Sequence, residues 1–294
     1  MVSRRQWVLQ FSANAKPGLY LIVTLVLTWI FEFAAVALGD RLSDWGVLLV
    51  ASPALLVPPL VAIALVYGKH GPAFQRDYWQ RVVGIRRIPP VWYAVILLYF
   101  PLKSCLAALF DWLQGGSGIA PETLTRFLER PLMVVPTVIF WFLFGPLPEE
   151  LGWRGYALDG LQARYNALVS SLIVGIVWSL WHLPLFLIPG TWQADTLGFA
   201  TPAFWRFMLA LVVESPLYAW IYNNCDRATL APILFHFVGN SFGELFALSP
   251  RAEAYNFTLS IVTVIFVAIA WKPATLTREK YIAQPVVRNG ESRH

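Results

Sequence analysis

Eight long apolar runs dominate this sequence. They lie at residues 18–38, 46–67, 91–110, 132–150, 168–189, 205–222, 229–248 and 256–271. Each has about the ~20 apolar residues that a helix needs to cross the ~30 Å hydrocarbon layer of a bilayer. Only 13% of the 294 residues are charged and 57% are hydrophobic, a combination that is rare in soluble domains. The sequence therefore predicts an all-α, polytopic membrane helical bundle with about eight transmembrane helices.

Lysine and arginine alternate between rich and poor loops along the chain. The N-terminus, the second loop and the C-terminal tail are basic, whereas the loops between them are not. Cytoplasmic loops of membrane proteins are enriched in Lys and Arg, so both termini are predicted to be cytoplasmic. This divides the chain into a cytoplasmic N-terminus (1–17), a membrane-embedded domain (18–271) and a basic cytoplasmic tail (272–294). The net charge of +5 is then explained by the orientation of the chain in a lipid bilayer, and no nucleic-acid partner is expected.

The second loop, residues 68–90, combines basic and aromatic residues. Two interpretations stay open for it. It could be a surface segment that lies at the cytoplasmic membrane interface, or a solvated loop that only fixes topology. The two cysteines, Cys105 and Cys225, fit no disulfide or metal spacing.

Ionisable residues inside membrane spans are costly and usually face a bundle interior or a wet cavity. In this chain they are Glu32, Lys103, Glu149, Glu150, Arg154, His182, Glu214, His236 and Glu244. A step of four residues places two side chains on one face of a helix. This step recurs in three pairs, Glu150–Arg154, Trp178–His182 and His236–Asn240. Three helices thus each carry a narrow polar stripe, and the stripes avoid lipid by facing one another.

Two prolines interrupt the fourth span just before its acids. In the stretch GPLP at 145–148 the helix should kink or break, and Pro148 suits the first position of a renewed helix. Glu149 and Glu150 would then lie in its first turn. The helix dipole and Arg154 favour ionised carboxylates, whereas burial and the neighbouring acid oppose them. One glutamate could therefore stay paired with Arg154 while the other accepts a proton from water.

The depths of the histidines do not coincide when they are counted along the predicted spans. His182 lies ~21 Å into the fifth span and His236 ~10 Å into the seventh, at 1.5 Å per residue. A tilt, or a fifth helix that starts later, would be needed to bring the two stripes together.

The three stripes resemble the motifs of the CPBP family, which includes the CAAX prenyl endopeptidases and the bacteriocin-processing Abi-type proteins. The matching motifs are Glu-Glu-x-x-x-Arg at 149–154, aromatic-x-x-x-His at 178–182 and His-x-x-x-Asn at 236–240. Their flanks, EELGWRGYAL, WSLWHLPLF and LFHFVGNSF, are similar to the family as well. The resemblance covers roughly residues 132–248. It departs from the family at Trp178, where phenylalanine is common.

This resemblance implies an intramembrane peptidase, a glutamate-type hydrolase. Its implied catalytic residues are Glu149, Glu150, Arg154, His182, His236 and Asn240. Glu149 would activate a water with help from His182, and Glu150 and Arg154 would orient the site through a salt bridge. His236 and Asn240 would form an oxyanion hole.

A cofactor is not required in this favoured mechanism. Members of the family are also described as metalloproteases, so zinc remains an alternative. Its ligands would be Glu149, His182 and His236.

Two functions from other classes stay open beside the peptidase. The same polar stripes could serve a non-catalytic membrane scaffold or immunity protein, or a proton-coupled transporter. The sequence has no inverted repeat, which argues against the transporter. A peptidase of this type would take a peptide or protein substrate, in lipidated or membrane-bound form. The expected location is a bacterial plasma membrane.

Overall fold

The computed structural model describes residues 15–120 and 122–279 as a helical bundle. Its α-helices in this part of the chain are α1 Pro17–Leu38, α2 Asp44–Ala51, α3 Val57–Lys69, α4 Pro72–Val82, α5 Pro90–Trp112, α6 Glu122–Glu129, α7 Val134–Leu143, α8 Pro146–Gly152, α9 Leu158–Gln162, α10 Ala167–Trp181, α11 Pro202–Asn224, α12 Leu230–Leu245 and α13 Pro250–Trp271. Two short strands, β1 Ile119–Ala120 and β2 Ala247–Leu248, pair in antiparallel register.

Seven helical segments among the described residues are long and apolar enough to cross a membrane. They are Pro17–Arg41, Asp44–Lys69, Pro90–Trp112, Pro131–Gln162, Ala167–Leu187, Pro202–Asn224 and Pro250–Trp271. The polytopic helical fold is thus confirmed. The predicted span that is not among them is the seventh, 229–248, where α12 has 16 residues and extends only ~24 Å at 1.5 Å per residue. The cytoplasmic location of both termini stays a prediction, and the basic residues within 1–14 and 280–294 lie outside the described residues.

Helix α1 shows why the bundle suits a membrane. Its polar side chains Thr24, Thr28 and Glu32, spaced by four residues, are buried, whereas Ile22 and Ile30 on the opposite side are exposed. This is the reverse of a soluble amphipathic helix. Lipid can solvate the apolar face, and polar groups gain partners inside, as when Trp181 Nε1 donates to Thr28 Oγ1 over 2.8 Å.

A buried ion pair ties three helices together at a distance from the catalytic motifs. Lys103 Nζ on α5 lies 2.5 Å from Glu214 Oε1 on α11 and 2.8 Å from Ser260 Oγ on α13. Each charge therefore has a partner in a low-dielectric interior, as buried charges require. We assign Lys103 and Glu214 to helix packing.

The fourth span breaks at Gly145, where α7 has ended and α8 begins. Helix α8 starts at Pro146, with Gly145 as its N-cap residue, and not at Pro148. Pro146 takes the first helical position, where a missing backbone N–H costs nothing. Glu149 is therefore in the first turn, but Glu150 lies beyond it, which corrects the prediction from the sequence. A π-helical segment, Trp153–Ala157, then leads into α9.

The basic stretch 68–90 is not a solvated loop, whereas its location at the cytoplasmic membrane interface stays a prediction. It contains α4, which buries Phe74, Asp77, Tyr78 and Arg81 against the rest of the bundle. Tyr78 donates its hydroxyl hydrogen to the Leu151 carbonyl over 3.0 Å. Helix α4 thus contacts α8 through this hydrogen bond.

Asp77 and Arg81 belong to an ion cluster that they form with Asp159 and Arg227. Arg81 Nε lies 3.0 Å from Asp77 Oδ2, and Arg227 contacts both Asp77, at 3.4 Å, and Asp159. Burial alone would raise the pKa of Asp77, but Arg227, Arg81 and Arg87 hold that pKa below its usual value. Arg81 also donates to the Gly155 carbonyl over 3.1 Å. The ion cluster therefore fastens the π-helical segment to α4 and to the loop before α12.

His70, between α3 and α4, is expected to make the fold sensitive to mild acid. Its ring stacks on Phe74 with centroids 4.1 Å apart, and burial lowers its pKa to about 4. The unfolded chain, with an ordinary histidine pKa near ~6.5, binds this proton more readily, so stability falls as pH drops from ~6.5 toward ~4. Thermal unfolding in detergent should show a smaller loss of Tm between pH 7 and pH 5 for His70→Gln than for the wild type. Equal losses in both proteins would contradict this assignment.

Candidate active site

Glu150 and Arg154 form a fully buried ion pair at the centre of the bundle. Arg154 Nη1 lies 2.8 Å from Glu150 Oε1, and neither side chain is exposed. Arg154 also donates to Ser215 Oγ over 3.1 Å, and Ser215 in turn donates to the Ser171 carbonyl over 2.7 Å. The guanidinium lies over the ring of Tyr218, 4.2 Å from its centroid. These contacts fix Arg154 rigidly, so Glu150 has a fixed position as well.

His236 on α12 contacts the same carboxylate oxygen. Its Nδ1 lies 3.1 Å from Glu150 Oε1. When Glu150 is ionised it only accepts hydrogen bonds, so Nδ1 carries the hydrogen in this contact. Nε2 of His236 can then donate to a further oxygen only when the ring is an imidazolium. Glu150 thus fixes the orientation of the His236 ring.

His182 lies at the end of α10, which finishes at Trp181. The predicted fifth span continued to 189, but a 3₁₀ turn, Leu183–Leu187, with Pro184 near its start, replaces its last part. His182 Nδ1 lies 2.9 Å from the Trp178 carbonyl. A carbonyl accepts only, so Nδ1 carries the hydrogen, and the lone pair of the neutral ring is on Nε2. His182 can therefore accept a proton from water at Nε2.

Glu149 and Asn240 border one small space beside Gly145. A methyl-sized group on the Gly145 backbone would lie 3.5 Å from Asn240 Nδ2 and 3.8 Å from Glu149 Oε1. The second oxygen of Glu149, Oε2, accepts a hydrogen bond from Trp178 Nε1 over 2.5 Å. Asn240 is exposed, whereas Glu149 is buried. The space is therefore open on the Asn240 side, and a hydrogen-bond donor and a carboxylate base both face it.

The structure brings together all six residues that the motifs singled out. Trp178 connects them, because its ring centroid lies 5.3 Å from that of His236 and 6.1 Å from that of His182. Helix α10 starts at Ala167, so the later start that would have reconciled the depths of the two histidines does not occur; both histidine rings nevertheless contact Trp178. The sequence analysis missed Ser215 and Tyr218 on α11, which hold Arg154. Neither residue belongs to a motif or to one of the three polar stripes.

The zinc alternative can be tested on the arrangement of donors. Within the described part of the chain, no three His, Cys, Asp or Glu side chains are grouped as a metal site requires. His182 and His236 bind the Trp178 carbonyl and Glu150 through Nδ1, so Nε2 of each ring is the nitrogen that a metal would use. In this conformation the described side chains are not grouped as zinc ligands, and a zinc requirement stays a prediction.

The fold and this site define a class, an integral membrane protein with buried carboxylates and histidines that surround one reaction space. Comparison with known proteins agrees. The family described as Type II CAAX prenyl endopeptidase, Rce1-like, matches residues 131–242, which hold all three motifs. A CAAX prenyl protease 2 of Methanococcus maripaludis is 29% identical over 239 residues, which is 81% of this chain and 88% of that protein. The part of the chain that holds the three motifs is thus similar to the Rce1-like CAAX prenyl endopeptidases, and most of the chain is similar to one curated CAAX prenyl protease.

Proposed function

We propose that this protein hydrolyses a peptide bond with a water activated by Glu149, in the space beside Gly145. The observation that carries the proposal is that Glu149 Oε1 and Asn240 Nδ2 both border that space. A general base on one side of a peptide carbonyl and a hydrogen-bond donor on the other are the two elements that amide hydrolysis needs.

In the proposed reaction Glu149 takes a proton from water, and the oxygen of that water attacks the carbonyl carbon. Asn240 Nδ2 and the imidazolium Nε2 of His236 donate to the oxyanion of the tetrahedral intermediate. Glu149 then returns the proton to the leaving amine. His182, with its lone pair on Nε2, helps to orient the attacking water. Glu150 holds Nδ1 of His236, and Arg154 keeps Glu150 in place.

An apolar groove next to the site supports a lipidated substrate. The groove has a volume of about 560 Å³ and lies between α6, α7 and α12, where Phe127, Val138, Trp141 and Phe237 line it. Trp141 connects the groove with the site, because its carbonyl oxygen lies 3.8 Å from the same Gly145 position that Glu149 and Asn240 approach. An isoprenoid chain in the groove would place the peptide attached to it beside Gly145. We therefore propose a prenylated C-terminal peptide as the substrate, in line with the activity named for the similar protease.

The test is a cleavage assay with the purified protein in lipid vesicles. Two peptides with the same C-terminal CAAX sequence are compared, one with a farnesylated cysteine and one unmodified. We expect release of the C-terminal tripeptide from the farnesylated peptide, with a kcat/KM at least about tenfold above that of the unmodified one, because burial of each CH₂ is worth about 0.8 kcal/mol. Equal cleavage of both peptides would contradict the lipid-binding role of the groove. No cleavage of either, together with pH-dependent ion flux into the vesicles, would favour the transporter.

The same assay addresses metal dependence. We expect that pre-incubation with EDTA or 1,10-phenanthroline, followed by removal of the chelator, changes kcat/KM by less than about twofold, because the proposed steps use only the side chains of the chain itself. A loss of activity that added zinc restores would overturn the metal-independent mechanism.

A further inference from the structure

We infer that Trp178 is a positioning residue that holds the carboxylate of Glu149 through its indole N–H. The inference rests on the proposed role of Glu149 as the general base. Trp178 Nε1 donates to Glu149 Oε2 over 2.5 Å, with both side chains buried. Oε1, the oxygen that borders the reaction space, stays available for water. Oε2 of Glu149 is thus held by Trp178, and Oε1 faces the reaction space.

The ring of Trp178 also contacts the other groups of the site. Arg154 lies over it, 4.8 Å from the centroid, and the ring of His236 meets it edge to face. Its backbone carbonyl binds His182 Nδ1. Phenylalanine at this position would keep the ring and the carbonyl but would lack the N–H. The hydrogen bond to Glu149 therefore depends on the indole N–H alone.

The expected effect follows from the charge of the acceptor. A hydrogen bond to an ionised carboxylate stabilises the ionised form, so its loss favours protonation at higher pH. The other ionisable groups around Glu149 are Glu150 on α8, Arg154 on the π-helical segment, His236 on α12, Tyr20 on α1 and Tyr218 on α11, together with His182 at the end of α10. All of them stay unchanged when only the indole N–H is removed.

The test removes the N–H and measures the pH profile of kcat/KM on a cleaved peptide. Two variants are used, Trp178→Phe and the replacement of Trp178 by 3-benzothienylalanine, which has sulfur where the indole has N–H and keeps the ring shape. The acid limb is the part of this profile where activity falls as the pH is lowered. We expect both variants to shift its midpoint to a pH about one unit higher, which corresponds to about tenfold in the protonation equilibrium of Glu149. Unchanged acid limbs in both variants, in a protein that Glu149→Gln inactivates, would overturn the inference and leave the proposed function intact.

Trp181→Phe is the matched control. Trp181 is three residues further on the same helix and equally buried, and its Nε1 donates to Thr28 and not to an acid. It also contacts the His182 ring, with centroids 4.6 Å apart. Trp181→Phe should leave the acid limb in place. A shift equal to that of Trp178→Phe would show a general loosening of α10 and overturn the inference.

A spectroscopic measurement decides the inference without any cleavage. In protein labelled with ¹⁵N-indole tryptophan, the Trp178 resonance is the one that Trp178→Phe removes. A short hydrogen bond to a carboxylate should place its N–H proton downfield, and Glu149→Gln should move it upfield because a neutral acceptor binds more weakly. A Trp178 resonance that Glu149→Gln leaves in place would overturn the inference. If the wild type cleaves nothing, the proposed function fails, and this measurement still tests the hydrogen bond.

Discussion

Glu149→Gln is expected to lower kcat/KM by about 10³-fold with little change in fold. Loss of a general base typically costs 10²–10⁴-fold. Glutamine has the shape of glutamate, and its carbonyl oxygen can still accept the hydrogen bond that Trp178 Nε1 gives to Glu149. It cannot take a proton from water. The measurement is the rate of peptide cleavage in vesicles, beside the Tm of the variant, which should stay close to that of the wild type.

Glu244→Gln provides the control for this variant. Glu244 is an exposed acid on α12, one turn beyond Asn240. It has no part in the proposed chemistry, so its kcat/KM should stay within about twofold of the wild type. If Glu149→Gln retains more than about a tenth of wild-type activity, Glu149 is not the general base.

Asp159→Asn is expected to cost about 3 kcal/mol of stability. Asp159 accepts hydrogen bonds from Tyr222 and Arg227, and Arg81 Nη1 lies 3.3 Å from its Oδ2. All of these side chains are buried. The amide cannot balance the two guanidinium charges, and removal of one partner from a buried ion pair typically costs 3–5 kcal/mol. Denaturant unfolding in detergent measures this loss.

The matched control is Asp111→Asn, near the β1–β2 pairing. Asp111 is also buried and accepts from Gly118 N and Ser249 Oγ, but the side chain of its partner Arg251 is 45% exposed. Water can solvate Arg251 after the change, so we expect a clearly smaller loss than that of Asp159→Asn. Equal losses in the two variants would contradict the view that Asp159 is needed to balance buried charge.

The sequence predicted the helices well, because a membrane span is recognised from the composition of one continuous stretch of residues. Each span of about 20 apolar residues must form its backbone hydrogen bonds internally, and the helix follows from that need alone. The predicted spans 18–38 and 91–110 accordingly match α1 and α5 to within two residues. Helix α12 is shorter than its predicted span because Phe246 no longer has helical geometry.

The sequence predicted which residues form the site, but not which residues contact one another. Four-residue spacing selected Glu150, Arg154, His182, His236 and Asn240, and the acidic pair of the first motif added Glu149. The partners of these residues come from other helices: Trp178 is 29 residues from Glu149, and Ser215 is 61 from Arg154. No local pattern records such pairings, which depend on how the helices pack.

The ion cluster was missed for a related reason. Asp77, Arg81 and Arg227 lie in polar stretches, where charge is normally solvated and carries no signal. Asp77 and Arg227 are 150 residues apart, and only the packing of α4 under the π-helical segment buries them.

The π-helical segment Trp153–Ala157 determines how the side chains before it are rotated, about the helix axis, relative to those after it. An α-helix turns by about 100° per residue, and a π-turn accommodates one extra residue in its place. Glu150, before the segment, contacts His236, and Asp159, after it, contacts Arg227 of the ion cluster. A chain one residue shorter here would keep every side chain of both clusters but would turn one of them away from its partners. The length of this segment therefore fixes the orientation of both clusters at once.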